Sequence, residues 1–306
     1  MFSLFIYIMI FNNNTKKETI EKLLLDKRPQ YSQASLKTYA SLIINLIKKN
    51  DIVDLDDVSK TIKFVKNNSK SQNSNKTILS AFYVITEKEE YKNAMLDEID
   101  HYNAIVRKQE KSETDSENWL DYKDIEKIYE KQSTKIWNLM RKNNEDLKPK
   151  DKRDIKKFMM FLLTSGYFFP PRRSLDWTHM YWDKKGHENM NYIDDKYFYF
   201  NKYKTAERYN EHKLKIPVQV RKWLRQFKKH SHSELLFTDD TGNQLNSNTF
   251  NQKLHSFFGK NISTSLLRKI YLTDHYSDIP KLQTIHQTSK DMGHTFETAV
   301  KHYVKH

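Results

Sequence analysis

The chain has 306 residues, enough for about two domains of ordinary size. Its 53 Lys and Arg against 39 Asp and Glu give a formal net charge of +14, which favours a polyanion such as nucleic acid over an acidic small molecule as partner. A basic surface that binds only water is the alternative. The chain has no cysteine, which excludes disulfides and thiolate metal sites.

Residues 1–18 form an apolar and then polar N-terminal segment. The apolar part, residues 1–11, is too short to span a bilayer, and no basic residue precedes it. We therefore expect neither a membrane anchor nor a signal peptide. A packing strand, or a translation start placed too early, explains the stretch equally well.

Residues 19–108 show helical periodicity and no strand pattern, which predicts a small all-α domain. Ser32 or Ser35, and the pair Asp56-Asp57, are candidate N-caps. We predict helices over residues 19–50, 56–66, 75–86 and 89–108.

Residues 109–118 contain no apolar side chain. We interpret them as a solvated linker and place the domain boundary there. Their acidic character indicates that they do not themselves touch a polyanion.

Residues 119–306 are predicted to form a second, mostly helical domain. Within it, residues 177–217 alternate short aromatic runs with Asp, Asn, Lys and Gly, which predicts a small antiparallel sheet of three strands. The fold class is therefore mainly α with a small antiparallel β-sheet, an α+β arrangement. Helices are predicted over residues 122–142, 152–168, 217–230, 247–258, 264–271 and 281–292, with one more at the C-terminus.

The helix predicted over 152–168 runs into an arginine-rich turn. Two prolines precede Arg172 and Arg173 there, so the arginines extend from a rigid base. Asp176, three residues after Arg173, can lie on the same face and hold its guanidinium. An isolated Arg-x-x-Asp pair is more often a surface salt bridge than a functional site.

The stretch 201–230 is the most basic of the chain, with ten Lys or Arg against two Glu and several aromatic residues between them. This composition is typical of a surface that follows a DNA backbone, and equally of a solvated hairpin. Lys204 lies where the aromatic strand ends and the polar turn begins. Composition alone does not single it out.

Arg268 lies in the helix predicted over 264–271, among Leu266, Leu267 and Ile270. We expect its side chain to be partly buried, and a buried guanidinium requires an anionic partner. An internal carboxylate satisfies this requirement, and so does a phosphate.

The C-terminal stretch carries Gly293-His294 and, nine residues after His294, Tyr303. Gly293 can take the φ > 0 conformation that ends a helix. Helical spacing from Phe296 to Tyr303 predicts a final helix whose apolar face turns toward the protein. Taken alone, Tyr303 is most simply a core tyrosine.

The order of these features resembles the catalytic domain of the tyrosine recombinase (phage integrase) family. That family carries an arginine followed by an acidic residue, a lysine on a β-hairpin, a His-x-x-Arg box, a Gly-His pair and a tyrosine nine residues later. The matching residues here are Arg173 with Asp176, Lys204, Ser265 with Arg268, Gly293-His294 and Tyr303. The resemblance covers 119–306; residues 19–108 match the DNA-binding arm domain only in position and helical character.

The local forms Pro-Pro-Arg-Arg and Leu-Leu-Arg-Lys-Ile-Tyr look like the subgroup found in large DNA viruses, their associated mobile elements and crypton-type transposons. The resemblance departs from the family at Ser265, where relatives usually carry histidine. Arg172 competes with Arg173 for the catalytic role, and we prefer Arg173 because the acidic residue follows it at the family's spacing. The chain ends three residues after Tyr303, so we expect no tail helix to be exchanged between subunits.

The resemblance implies site-specific cutting and rejoining of DNA through a 3′-phosphotyrosine, without metal, ATP or other cofactor. Tyr303 is then the nucleophile and His294 binds a phosphate oxygen or orients the tyrosine. Arg173 and Arg268 clamp the phosphate, while Lys204 protonates the departing 5′ oxygen.

The implied partners are double-stranded DNA and further copies of the chain, as a homotetramer on two DNA sites, and no membrane. The protein then acts wherever its target DNA lies, in a nucleus, viral factory, virion or cytoplasm, and is not secreted. Two other functions share these features: a type IB topoisomerase, which relaxes DNA without exchanging partners, and a catalytically inactive DNA-binding protein.

Overall fold

The computed structural model describes residues 10–50, 52–69, 71–278, 282–293 and 295. Of the described residues, 61% are helical, and they include two small sheets, which confirms the predicted α+β class. Among these residues, no helix combines the length and the apolar character that crossing a membrane requires.

The described residues fall into two compact units that separate between Glu110 and Lys111. The first unit contains the described residues up to Glu110 and also the helix Leu282–Asp291. The second unit contains the described residues from Lys111 to residue 278. The sequence predicts instead that everything after residue 118 belongs to one domain. The domain limits 19–108 and 119–306 stay predictions.

The first unit is built from helices around a small strand pair. Its elements before residue 110 are β1 (Ile10–Asn12), α1 (Lys17–Lys27), α2 (Gln33–Asn50), β2 (Ile52–Asp54), α3 (Val58–Asn68), α4 (Gln72–Thr86) and α5 (Glu89–Arg107). Its core includes Ile20, Ile43, Phe82 and Tyr91, all fully buried.

Two features of this unit differ from the sequence prediction. The single helix predicted over 19–50 is two helices, because the chain breaks near Pro29 before Ser32 caps α2 by accepting the Ser35 N–H. The strands β1 and β2, which pair antiparallel, were not predicted. Three residues are too few to show the alternation by which a strand is recognised.

The stretch 109–118 differs from the predicted linker because it contains a short helix, α6 (Glu113–Asn118), that belongs to the second unit. Ser112 caps it by accepting the Asp115 N–H, and acidic residues in its first turn suit a helix N-terminus. The Asp115 carboxylate accepts from Lys269 Nζ at 2.6 Å. Asp115 therefore pairs with a cation of α13, whereas Glu113 and Glu117 are exposed to solvent.

The second unit is organised around the helix α8 (Pro149–Thr164). From Phe158 to Thr164 every side chain of α8 is buried, so this half of the helix is central to the core. Besides α6 and α8, the unit contains the α-helices α7 (Tyr122–Met140), α9 (Ser174–Thr178), α10 (Ala206–Tyr209), α11 (Val218–Lys228), α12 (Ser247–Phe258) and α13 (Thr264–His275).

A four-stranded sheet completes this unit, where the sequence predicts three antiparallel strands. The strands are β3 (Met180–Tyr181), β4 (Asn191–Ile193), β5 (Tyr197–Phe200) and β6 (His212–Lys215), in the order β3-β4-β5-β6. β4, β5 and β6 pair antiparallel as predicted, but β3 pairs parallel to β4. β3 lies within the predicted stretch 177–217, but with only two residues it gives no sign of the direction in which it pairs.

The helix Leu282–Asp291, α14, ends near Gly293, as predicted. Gly293 has φ +73° and its N–H donates to the carbonyl of Lys290. The final helix predicted from Phe296, together with His294 and Tyr303, lies outside the described residues.

Gly166, after α8, provides a test of this packing. Its φ is +87°, and an added Cβ would lie 2.7 Å from the Tyr271 ring, whereas Gly242 has φ +88° and open space at the same position. We expect Gly166→Ala to lower the free energy of unfolding by about 2–4 kcal/mol, and Gly242→Ala by about 1 kcal/mol, because only Gly166 adds a clash to the backbone strain.

The measurement is urea denaturation followed by tryptophan fluorescence. All five tryptophans lie between positions 119 and 223, so the signal reports the second unit. Equal losses in the two variants would contradict the close approach of Gly166 to Tyr271.

Candidate active site

The turn that carries Arg172 and Arg173 is held by the core beneath it. Tyr122 donates its hydroxyl to the carbonyl of Gly166 at 3.1 Å. Phe169 is buried and packs on Trp177 and Phe198, with ring centroids 6.2 and 5.6 Å away. The arginines therefore leave a fixed segment, as the sequence predicts.

Asp176 pairs with Arg172 and not, as predicted, with Arg173. Arg172 Nε lies 2.8 Å from Asp176 Oδ2, and its guanidinium stacks on the Phe200 ring at 3.8 Å. The reason is burial: Asp176 faces the core with 2% of its side chain exposed, and Phe200 guides Arg172 to the same side. Arg173 occupies the N-cap position of α9, and no hydrogen bond or ion pair joins its guanidinium to any described residue.

Burial and the neighbouring positive charges shift the pKa of the Asp176 carboxyl in opposite directions. Burial raises the pKa of its carboxyl above the usual range, and the positive charges of Arg172, Arg173 and Arg268 offset part of that rise. Oδ1 finds no donor within the described ranges. Three arginines therefore share one carboxylate, of which only Arg172 is bonded to it, and the cluster keeps an excess of positive charge.

Arg268 is partly buried, as predicted. Burial lowers the pKa of its guanidinium; the next largest cause is Arg173, whose like charge lowers it further, while Asp176 opposes both. Within the described part of the chain, no carboxylate forms an ion pair with Arg268. Of the two partners considered from the sequence, the internal carboxylate is therefore missing among the described residues.

A buried hydrogen bond joins the two arginine-bearing helices. The N–H of Ser174, which follows Arg173, donates to Thr264 Oγ1 at 3.2 Å, and both residues are buried. Thr264 lies one helical turn before Arg268, and its own N–H donates to Asn251. The separation between the two guanidiniums is therefore set by rigid elements rather than by loops.

Asn191 joins α9 to the turn that follows β5, residues 201–205, which we call the β5 turn. The sequence analysis did not identify this residue. Its side-chain amide donates to the carbonyls of Asp176 and Lys202, at 2.8 and 2.9 Å. Its oxygen accepts the N–H groups of Asn201 and Lys202. In the sequence, the only indication of this role is that a polar residue stands at the start of an otherwise apolar strand.

The same turn carries Lys204, which is exposed and follows Tyr203; the Tyr203 ring centroid lies 5.2 Å from the Arg172 guanidinium. Ser265 is also exposed, and its spacing of three residues from Arg268 places both on one face of α13. Arg172, Arg173, Asp176 and Arg268 form one cluster, because the charge of each acts on the others. No described contact joins the side chain of Lys204 or Ser265 to this cluster, so their place in the site stays a prediction.

No family model and no curated protein matches the chain. A search of solved structures finds a lambda integrase dimer bound to a COC′ core site, with 17% identity, a TM-score of 0.48 and coverage of 88% of this chain and 92% of that one. It also finds a lambda integrase tetramer bound to a Holliday junction, with 16% identity, a TM-score of 0.47 and coverage of 94% and 78%. Likenesses at this level do not decide the function, which must be argued from the side chains.

The buried Asp176 predicts an unusual pH dependence of stability. Because its pKa is raised in the folded protein, the unfolded chain loses the proton first as pH rises. We therefore expect the free energy of unfolding of the wild type, relative to Asp176→Asn, to fall as pH rises from below the ordinary carboxyl pKa through the raised one.

Asp239 offers a control of opposite sign, since hydrogen bonds from Thr241 and Asn243 lower the pKa of its carboxyl. The free energy of unfolding of the wild type, relative to Asp239→Asn, should therefore fall as pH falls through the lowered pKa. Urea denaturation at a series of pH values, followed by tryptophan fluorescence, measures both. A wild-type advantage over Asp176→Asn that grows with pH would contradict the assignment.

Proposed function

We propose that this chain is a tyrosine recombinase, which cuts and rejoins DNA through a 3′-phosphotyrosine intermediate. The observation that supports it best is the pair Arg173 and Arg268. Two guanidiniums whose like charges act on each other, and to neither of which a carboxylate of the described residues is bonded, form a site for an oxyanion, and their planar donor forks suit phosphate oxygens. The basic stretch 201–230 supplies cations for the flanking DNA backbone.

The proposed chemistry assigns one task to each residue. The Tyr303 oxygen attacks the scissile phosphorus, its proton is lost, and the 5′ oxygen leaves with a proton from Lys204. Arg173 and Arg268 stabilise the charge that develops on the non-bridging oxygens. Ser265 adds a hydroxyl donor on the face that Arg268 shares, and His294 binds a phosphate oxygen or orients the tyrosine. Attack by a new 5′-hydroxyl then reverses the step and joins different strands.

Double-stranded DNA is the proposed partner, with a homotetramer assembled on two sites. We expect the protein to act where that DNA lies and not to be secreted. Relaxation by a type IB topoisomerase uses the same cleavage step without exchange of partners. A silent DNA-binding protein would use the arginines for affinity alone.

Covalent trapping tests the reaction. The full chain is incubated with nicked suicide duplexes that cover the DNA flanking its gene, and the adduct is resolved by denaturing electrophoresis. We expect the wild type to form an adduct on one of them and Tyr303→Phe to form none, because only the hydroxyl can attack phosphorus. Absence of adduct with the wild type, despite duplex binding, would support a silent binder. Joining between two duplexes would separate a recombinase from a topoisomerase.

Arg268 should matter for cleavage far more than for affinity. We expect Arg268→Ala to lower the single-turnover cleavage rate by about 100-fold or more, since its contact strengthens with charge in the transition state. Duplex affinity should change by less than about tenfold, because it is spread over many phosphates.

Two variants serve as controls for this prediction. Arg268→Lys keeps the charge but loses the donor fork, so it should also cleave slowly. Arg141→Ala removes an exposed cation at the end of α7, outside the basic stretch 201–230, and should leave the cleavage rate unchanged. Parallel loss of affinity and cleavage in Arg268→Ala would count against its role in the transition state.

A further inference from the structure

His212 lies beside the arginine cluster, where it contacts Arg172. No motif in the sequence includes this histidine. It is the first residue of β6 and is paired with Phe200 in the β5–β6 ladder. Phe200 is the ring on which Arg172 stacks, and the imidazole lies against the same ring with centroids 6.4 Å apart. The sheet thus places an imidazole next to a guanidinium that already binds Asp176.

The contact with Arg172 fixes which imidazole nitrogen carries the proton. Arg172 Nη1 lies 3.4 Å from His212 Nδ1. A guanidinium can only donate, so Nδ1 must accept, and in a neutral ring the proton then lies on Nε2. His212 is exposed, and Nε2 has no partner in the described portion of the chain. A free N–H donor therefore stands at the exposed side of a cationic cluster.

Burial and the charge of Arg172 both disfavour protonation of this ring. Burial lowers the pKa of His212, and the like charge of Arg172 lowers it further, while Asp176 on α9 offsets part of the effect. These are the two charged side chains that act on it from packed elements. At neutral pH the ring is therefore in the state that the Arg172 contact requires.

We propose that His212 is a further residue of the phosphate site, which holds Arg172 through Nδ1 and donates its Nε2–H to a non-bridging oxygen of the bound phosphodiester. The inference rests on the proposed function and extends its set of phosphate ligands. No proton leaves the ring in this role; protonation of the departing oxygen stays with Lys204.

Two substitutions separate the roles of the two nitrogens. His212→Asn places an amide oxygen near the position of Nδ1 and can hold Arg172, but it does not reach the Nε2 position. His212→Gln reaches the Nε2 position with an N–H donor. His187→Gln is the matched control, because His187 contacts Glu234 and the Tyr181 ring rather than the arginines.

With the trapping duplexes, we expect His212→Asn to lower the single-turnover cleavage rate by about 10- to 100-fold, as for loss of a hydrogen bond to a charged group. His212→Gln should recover most of the rate, and His187→Gln should match the wild type. A wild-type rate for His212→Asn would overturn the donation to phosphate and leave only a hold on Arg172.

A histidine titration followed by NMR tests the same contact without cleavage. Addition of duplex should raise the pKa of His212 by more than that of His187, because a bound phosphate places negative charge against the ring. The His212 signals are assigned by their loss in His212→Gln. Equal shifts for the two histidines would overturn the inference. If the wild type forms no adduct, the proposed enzyme fails, but this titration still decides whether His212 contacts phosphate.

Discussion

The repulsion between Arg173 and Arg268 is the constraint on which the rest of the site depends. The nearest carboxylate, Asp176, is bonded to Arg172, and its buried position leaves it partly unsatisfied. Two positive groups that are held together without a counter-ion cost stability in the free protein. An oxyanion bound between them would offset this cost, which is consistent with the proposed phosphate site.

The fold keeps the two guanidiniums together through polar contacts that are few and buried. The Ser174–Thr264 bond joins α9 to α13, and Asn191 joins the β5 turn to α9. Beneath them, α8 fills the core and Phe200 provides a flat surface for Arg172. Catalysis by positioned charge needs rigidity of this kind, because the donors must already point at the phosphate when the reaction starts. The fold and the proposed chemistry are therefore consistent with each other.

The sequence correctly predicted features that depend on the local spacing of apolar residues. The helix predicted over 247–258 matches α12 at both ends, and the partly buried Arg268 follows from its apolar neighbours. The prediction that Asp176 pairs with Arg173 was wrong, since Asp176 pairs with Arg172. Arg172 is held on that side by stacking on Phe200, which lies 24 residues after Asp176 in the sequence. Asn191 and His212 could not be found for the same reason: each acts through partners that only the folded sheet brings near.

Unfolding of the wild type and Arg268→Met, with and without inorganic phosphate, tests the central claim most directly. If Arg268 is unpaired and repelled by Arg173, its replacement should raise the free energy of unfolding in phosphate-free buffer. Added phosphate should then stabilise the wild type more than the variant. A loss of about 3–5 kcal/mol in Arg268→Met, the size expected when a buried ion pair is broken, would contradict the account, since it would mean that Arg268 already has a partner within the protein.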